Sequence, residues 1–427
     1  MPLVVLALFM SAYALVSRRL ASTPITGPML FVGLGVAAFL LDPGLFGTSP
    51  SGAVESVLEI TLAVVLFTDA YSVSHLDWKE DTTIPGRLLG IGLPVMMVAG
   101  TLVAVLVFPG LSILEAALLG VMLAPTDAAL GTGVVSNPRV PVRIRRALNV
   151  ESGLNDGLAL PIFFFLLEAA IAEETGGGLA DVLRAILVQT VVAVAVGVVA
   201  GVGGAVLLAI CNRRGWVDGG WARIFPVGIA LLAWAAADAF GASGFIAAWV
   251  AGFSMGRREK TGIPDLTSFA EATGYLLTLA SLVLFGAIGL GPALGRLGWA
   301  AVAYGLLSLL IIRMGSVALA LAGTHLGKPT VAYVGWFGPR GLASIILAIV
   351  TVNESDLLGQ STIVSAVIAT VGLSVLLHGA TAWWGSNAYA DWYERESRQQ
   401  EMLESKAVSP PTPSRRMRHV DREPASP

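Results

Sequence analysis

The sequence predicts an all-α polytopic membrane protein of about thirteen transmembrane helices, with inverted repeats and two broken, crossing helices. Three observations lead there. Of the 427 residues, 55% are apolar and only 13% are charged, against about 25% charged in soluble domains. Apolar runs of about 18 or more residues recur along most of the chain, each long enough to span a bilayer. Two of those runs are interrupted by proline with a charged residue beside it, Pro125 with Asp127 and Pro339 with Arg340.

Taken in order, the apolar runs cover residues 2–17, 25–41, 53–71, 86–108, 112–135, 145–170, 179–210, 222–239, 243–256, 265–290, 295–322, 329–350 and 360–384. The first does not read as a cleaved leader, because no basic residue precedes it and Arg18 and Arg19 follow it. The connecting loops alternate in charge. One side carries Arg18, Arg19, Lys79, Arg87, Arg139, Arg143, Arg145, Arg146, Arg213, Arg214, Arg223, Arg257, Arg258, Lys260 and Lys328. The other offers chiefly Arg184 and Arg296, beside Glu173, Glu174, Glu354 and Asp356. The positive-inside rule places the first set in the cytoplasm, the N-terminus outside and the C-terminus inside, which requires an odd number of spans. Residues 389–427 turn polar, with Pro410 and Pro411, and read as a disordered cytoplasmic tail.

Proline removes a helical hydrogen bond, so the fifth and twelfth spans break in mid-membrane. The fifth reads Leu123-Ala124-Pro125-Thr126-Asp127-Ala128-Ala129 and the twelfth Gly335-Trp336-Phe337-Gly338-Pro339-Arg340-Gly341. The loop charges orient them oppositely. Interrupted segments in corresponding, inverted positions point to a secondary-transporter site. Exposed half-helix N–H ends attract an anion and exposed C=O ends a cation. Asp127 suits the first role and Arg340 the second.

The sixth span carries Glu151-Ser152-Gly153-Leu154-Asn155-Asp156-Gly157. Charges there are costly, so they read as functional. Ser152 and Asp156, four residues apart, share a helix face with Asn155 beside them. Glu151 points about 140° away from Asp156. One face thus offers a carboxylate–amide–hydroxyl cluster and another a second carboxylate. Arg313, in mid-span, needs an anion; Glu151 is the expected partner, with Arg340 competing for it. Asp238 ends the eighth span as an interface residue, His378 reads as a hydrogen-bonded core residue, and Glu59 and Asp69 are weaker candidates for cavity lining.

Taken together, these motifs resemble the monovalent cation/proton antiporters of the NhaP type, the family that includes the animal sodium/proton exchangers. Glu151-Ser152-x-x-Asn155-Asp156 resembles the family's Asn-Asp helix. Pro125-Thr126-Asp127 resembles its first broken helix, Gly338-Pro339-Arg340-Gly341 its second, and Arg313 the arginine of the preceding helix. The resemblance implies a core domain at about 86–170 and 295–384, a dimer or scaffold domain at about 2–71 and 222–290, and a linking span at about 179–210 within a membrane portion of residues 1–388. It implies a homodimer in which the core moves against the scaffold. Asp156 would be the main carrier of Na+ and H+, with Asp127, Ser152 and the Thr126 backbone completing the site. Asn155, in place of a second aspartate, resembles the electroneutral branch. Asp238 departs from the glutamate common in animal relatives.

The expectation is a plasma-membrane antiporter exchanging a monovalent cation, Na+ first, for H+. K+/H+ exchange on the same fold is the alternative, followed by an ion channel. A hard monovalent cation takes oxygen ligands, so it and a proton compete for one carboxylate, and that competition is the coupling. No Gly-rich phosphate loop appears, so an ion gradient drives the cycle. No His-Glu-x-x-His or Gly-x-Gly-Asp sequence is present, which argues against an intramembrane protease. No cofactor is called for; the partners are the transported ions, membrane lipid and a second copy of the chain. No basic stripe suggests nucleic acid. Cys211 is the sole cysteine, and the four histidines lack metal-ligand spacing.

Overall fold

The computed structural model describes residues 2–20, 23–44, 52–74, 82–127, 130, 131, 134, 137–397 and 403–405. Lys79 of the basic loops, Ala128 and Ala129 with much of the second half of the expected fifth span, and the tail beyond residue 405 lie outside them. Described helices are α1 (Pro2–Leu20), α2 (Gly27–Leu41), α3 (Gly52–Ser74), α4 (Thr83–Val107), α5 (Ile113–Met122), α6 (Val142–Thr175) and α7 (Leu179–Arg213). They continue with α8 (Gly219–Ala239), α9 (Gly244–Arg258), α10 (Ser268–Ala293), α11 (Trp299–Ala320), α12 (Lys328–Trp336), α13 (Leu342–Glu354) and α14 (Gln360–Ser397). No strand occurs among the described residues.

Eight of these helices are long and apolar enough to cross a membrane by length and composition. That is fewer than the expected thirteen spans. Interruption accounts for the fifth and twelfth: α5, α12 and α13 are halves of broken segments, too short to count, and α2 and α9, of 15 residues each, also fall short of a crossing. Among the long helices, α4, α7 and α11 expose apolar side chains, Leu102, Leu106, Leu187, Val199 and Ile311 among them.

Local chemistry sets the helix limits. Ser112 and Glu115 form a reciprocal capping box at the start of α5. The Glu115 carboxylate also accepts the Gly359 N–H at 2.6 Å, which ties the start of α5 to the start of α14. Three helices carry a π-helical turn, at Leu88–Gly92, Phe285–Leu290 and Ser308–Ile312. Such turns frequently mark functional segments, and the third ends immediately before Arg313.

The expected boundary of tail disorder, after residue 388, falls inside a helix. α14 runs on to Ser397, and residues 403–405 form a 3-10 turn against the end of the bundle. Glu404 is 2% exposed. It accepts hydrogen bonds from Gly327 N at 2.9 Å and Thr330 Oγ1 at 2.7 Å, at the N-terminus of α12. Tyr389 stacks on Tyr333, and its hydroxyl lies 3.0 Å from that of Thr330. Arg139 bonds to Asp391 and Glu394, and Arg143 to the Leu403 carbonyl. Composition signalled a solvated segment here. Charge-assisted bonds and aromatic packing hold its first part instead.

Candidate ion site at the helix crossing

The two interrupted segments meet. Between the end of α5 at Met122 and Asp127 the chain leaves helical geometry, as it does between Trp336 and Leu342. The stretches exchange backbone bonds, with Asp127 N donating to Pro339 O at 2.8 Å. Asp127 Oδ2 accepts the N–H of Leu342, the first residue of α13, at 2.9 Å. Arg340 Nη1 donates to the carbonyls of Ala124 and Pro125 at 2.8 and 3.0 Å, just past the end of α5. The carboxylate therefore stands at an N–H end and the guanidinium at a C=O end, as half-helix dipoles require. Gly341 permits the approach, since a Cβ there would lie 2.1 Å from Asp127 Oδ2.

α6 passes beside the crossing. Ser152 Oγ donates to Thr126 O at 2.5 Å, and Asn155 Nδ2 donates to Thr126 Oγ1 at 2.7 Å. These bonds use the donors of Ser152 and Asn155 and leave oxygens over. Asn155 Oδ1 and Asp156 Oδ1 are buried with no hydrogen-bond partner among the described residues. Asp127, Asp69 and Arg340 all lie within electrostatic reach of Asp156. Thr126, Asp127, Glu151, Ser152, Phe337 and Pro339 are among the residues around a narrow cavity of about 20 Å³, the size of a single small guest. Asp156 does not line that cavity.

On the other face of α6, Arg313 bonds to both carboxylate oxygens of Glu151. Its remaining donors reach Val334 O and Gly335 O at 3.3 Å, close to the C-terminal end of α12. Arg340, the competing candidate, is also fully buried, and the carbonyls of Ala124 and Pro125 take its guanidinium. Glu151, Asp127 and Asp156 supply three carboxylates, and Arg313 and Arg340 two guanidiniums. With all ionised, one negative charge is left over at Asp156, before Asp69 is counted. That is the charge a cation or a proton can neutralise.

Residues outside the crossing fall elsewhere. His378 is buried, its Nδ1 2.9 Å from Ser374 O, and Ser374 Oγ accepts the Arg340 N–H at 2.7 Å. The histidine thus braces the second interruption. Asp238 is exposed at the end of α8. It faces Glu59 and Glu354, and Glu354 in turn faces Glu168, so four helices contribute to one acidic group. Sequence reading missed Glu168 and the grouping, because no local pattern links residues on α3, α6, α8 and α13. It also missed Glu115, for which Ser112-x-x-Glu115 was an available signal.

Comparison with known proteins supplies the context. A family model described as the sodium/hydrogen exchanger, transmembrane, matches residues 4–384. The K(+)/H(+) antiporter NhaP of Alkalimonas amylolytica is 27% identical over 339 residues, covering 77% of this chain and 57% of that protein. The Na(+)/H(+) antiporter ApNhaP of Aphanothece halophytica is 25% identical over 435 residues, covering 95% and 79%. The chain thus spans less than two thirds of the first relative's length. In fold it resembles the sodium proton antiporter MjNhaP1 of Methanocaldococcus jannaschii at pH 8, with a TM-score of 0.70 and 20% identity over 91% of this chain and 98% of that one.

Proposed function

The chain belongs to the transmembrane sodium/hydrogen exchanger family, an integral multi-pass membrane family of transporters, and on that footing we propose that it exchanges a monovalent cation for protons by alternating access. One observation carries this reading. Asp156 is a carboxylate in excess of the two guanidiniums at the crossing, Arg313 and Arg340, and its Oδ1 and that of Asn155 have no hydrogen-bond partner among the described residues. A charged site is costly to carry past a low-dielectric barrier, so it crosses only when neutralised. A cation and a proton do so in turn.

In this reading Asp156 carries both ions. Asp127, Ser152, the Thr126 backbone and Asn155 complete the oxygen set, which suits a hard cation. Asp127 also fixes the start of α13. Glu151, Arg313 and Arg340 hold the frame. A single titratable group in the Asn155-Asp156 pair supports electroneutral exchange. The acidic group of Glu59, Glu168, Asp238 and Glu354 attracts cations to one mouth. No cofactor enters the cycle.

The oxygen set suits any alkali cation; we assign sodium as the preferred ion on the activity named for the Aphanothece relative. Potassium is the second reading, favoured by the activity named for the Alkalimonas relative. The basic loops support a plasma-membrane protein with its N-terminus outside and the end of α14 in the cytoplasm. A homodimer through the scaffold helices, with lipid around it, completes the proposal.

The test is proton flux in proteoliposomes under an imposed pH gradient, with Na+, K+ or Li+ added in turn. Saturable flux that reverses with the gradient and depends on one cation supports exchange. Non-saturating conductance would mean a channel, and proton release by K+ alone would exchange sodium for potassium in the reading.

A further inference from the structure

Helix α9 is locked to two neighbours through backbone contact. A Cβ at Gly252 would stand 2.1 Å from Phe67 O of α3. One at Gly201 of α7 would stand 2.3 Å from Ala251 O, and one at Gly197 2.6 Å from Ala247 O. Contacts this close cannot slide without first separating, so α3, α7 and α9 move as one block.

Toward α6 this block presents Trp249 and Phe253, stacked with ring centroids 5.8 Å apart. The Trp249 indole lies against Gly157, where a Cβ would be 2.1 Å from Cε2. Its Nε1 donates to Gly153 O at 3.2 Å. Gly153 and Gly157 bracket the turn that holds Asp156. Gly157 is the notch that receives the ring, and Gly153 receives α3, where a Cβ would stand 2.8 Å from Val73 Cγ2 and 3.2 Å from Asp69 O; one turn to either side on this stripe stand Asn149 and Pro161. Neither leaves the space that glycine leaves. α6 therefore fits the block in one axial register only: a displacement of a single turn, about 5.4 Å, drives Pro161 into the ring in one direction and Asn149 into Val73 in the other.

We infer that Trp249 is a positioning residue for exchange, a key that seats the Asp156 helix on the α3–α7–α9 block in one conformation of the cycle and must unseat for the site to move. The inference rests on the alternating-access reading above. It assigns Trp249 no contact with the ion. Its effect passes through α6, so it sets which conformation is populated and leaves the oxygen set untouched.

The test measures conformation directly and needs no transport. Spin labels are placed at Glu173→Cys, exposed near the end of α6, and Phe240→Cys, exposed beyond the end of α8, in full-length Cys211→Ser protein. α8 packs on α9 and so reports the block. Trp249→Phe keeps an aromatic ring and removes the N–H donor. It is expected to shift the ratio of two distance populations about 2- to 12-fold away from the seated one, the effect of one net hydrogen bond. Gly157→Ala fills the notch and is expected to deplete the seated population more strongly. Cation affinity measured within either conformation stays at the parent value, which a general packing defect would not allow.

If both variants are folded and show the parent distance distribution, the contact is packing alone and the inference fails. A Trp249→Phe protein that changes cation affinity without any change in distances overturns it equally. Flux assays on the same samples judge exchange separately, so loss of one reading is distinguishable from loss of the other.

Discussion

Arg313 and Glu151 form a bidentate ion pair whose two side chains are 1% and 2% exposed. Removing one partner strands the other charge in a dry interior, which costs about 3–5 kcal/mol. Glu151→Gln and Arg313→Gln are each expected to lower the melting temperature in detergent sharply. The double variant should be less destabilised than the sum of the two. Additive losses would show that the charges do not depend on each other.

Asp156→Asn keeps the shape of the side chain and removes the excess charge. Exchange should fall to background for every alkali cation while the protein still inserts and purifies intact. Near-parental sodium-driven proton flux in liposomes carrying this variant would move the carrier to another carboxylate, with Asp127 next to be tested.

Asp127→Asn should behave differently. The amide oxygen can still accept from Leu342 N, so the start of α13 keeps its cap at the weaker strength of a neutral bond. Half-saturation for the cation should rise by at least about tenfold, with measurable turnover remaining at high concentration. Parental half-saturation would confine Asp127 to a structural role.

Glu404→Ala removes two charge-assisted hydrogen bonds at a buried helix start. A loss of about 1.5–3 kcal/mol of unfolding free energy is expected, read as a lowered unfolding midpoint. Glu404→Gln should recover part of it through Thr330. An unchanged midpoint for the alanine variant would mean the tail turn does not stay docked in solution.

The architecture was legible because membrane insertion writes strong signals. Runs of apolar residues mark spans, and proline with a neighbouring charge marks an interruption. The sign of each charge followed from dipole ends, and the structure puts Asp127 at the first turn of α13 and Arg340 on the carbonyls after α5. What stayed illegible depends on tertiary packing. Glu404 looks like any acidic residue in a polar tail, and only the approach of Thr330 and Gly327 makes it a cap. Trp249 reads as one apolar residue among many until α6 is laid beside it. Glu59, Glu168, Asp238 and Glu354 are scattered over roughly three hundred positions and gather only through the helix arrangement.

The 38 residues of α14 have a consequence of their own. At helical rise they extend about 57 Å, nearly twice the thickness of a hydrocarbon core. Asp391, Glu394, Arg395 and Glu396 all lie near its far end, where Tyr389 and Ala390 are buried and Arg139 bonds to Asp391 and Glu394, so the surplus is braced against the end of the bundle. The joint between Glu404 and the start of α12 lies beside that end, where a Cβ at Gly327 would stand 2.7 Å from the Trp392 ring. Asp391 and Glu394 keep 58% and 41% of their side chains exposed there, so a label at either position reads the protein's orientation with water-soluble probes in sealed vesicles.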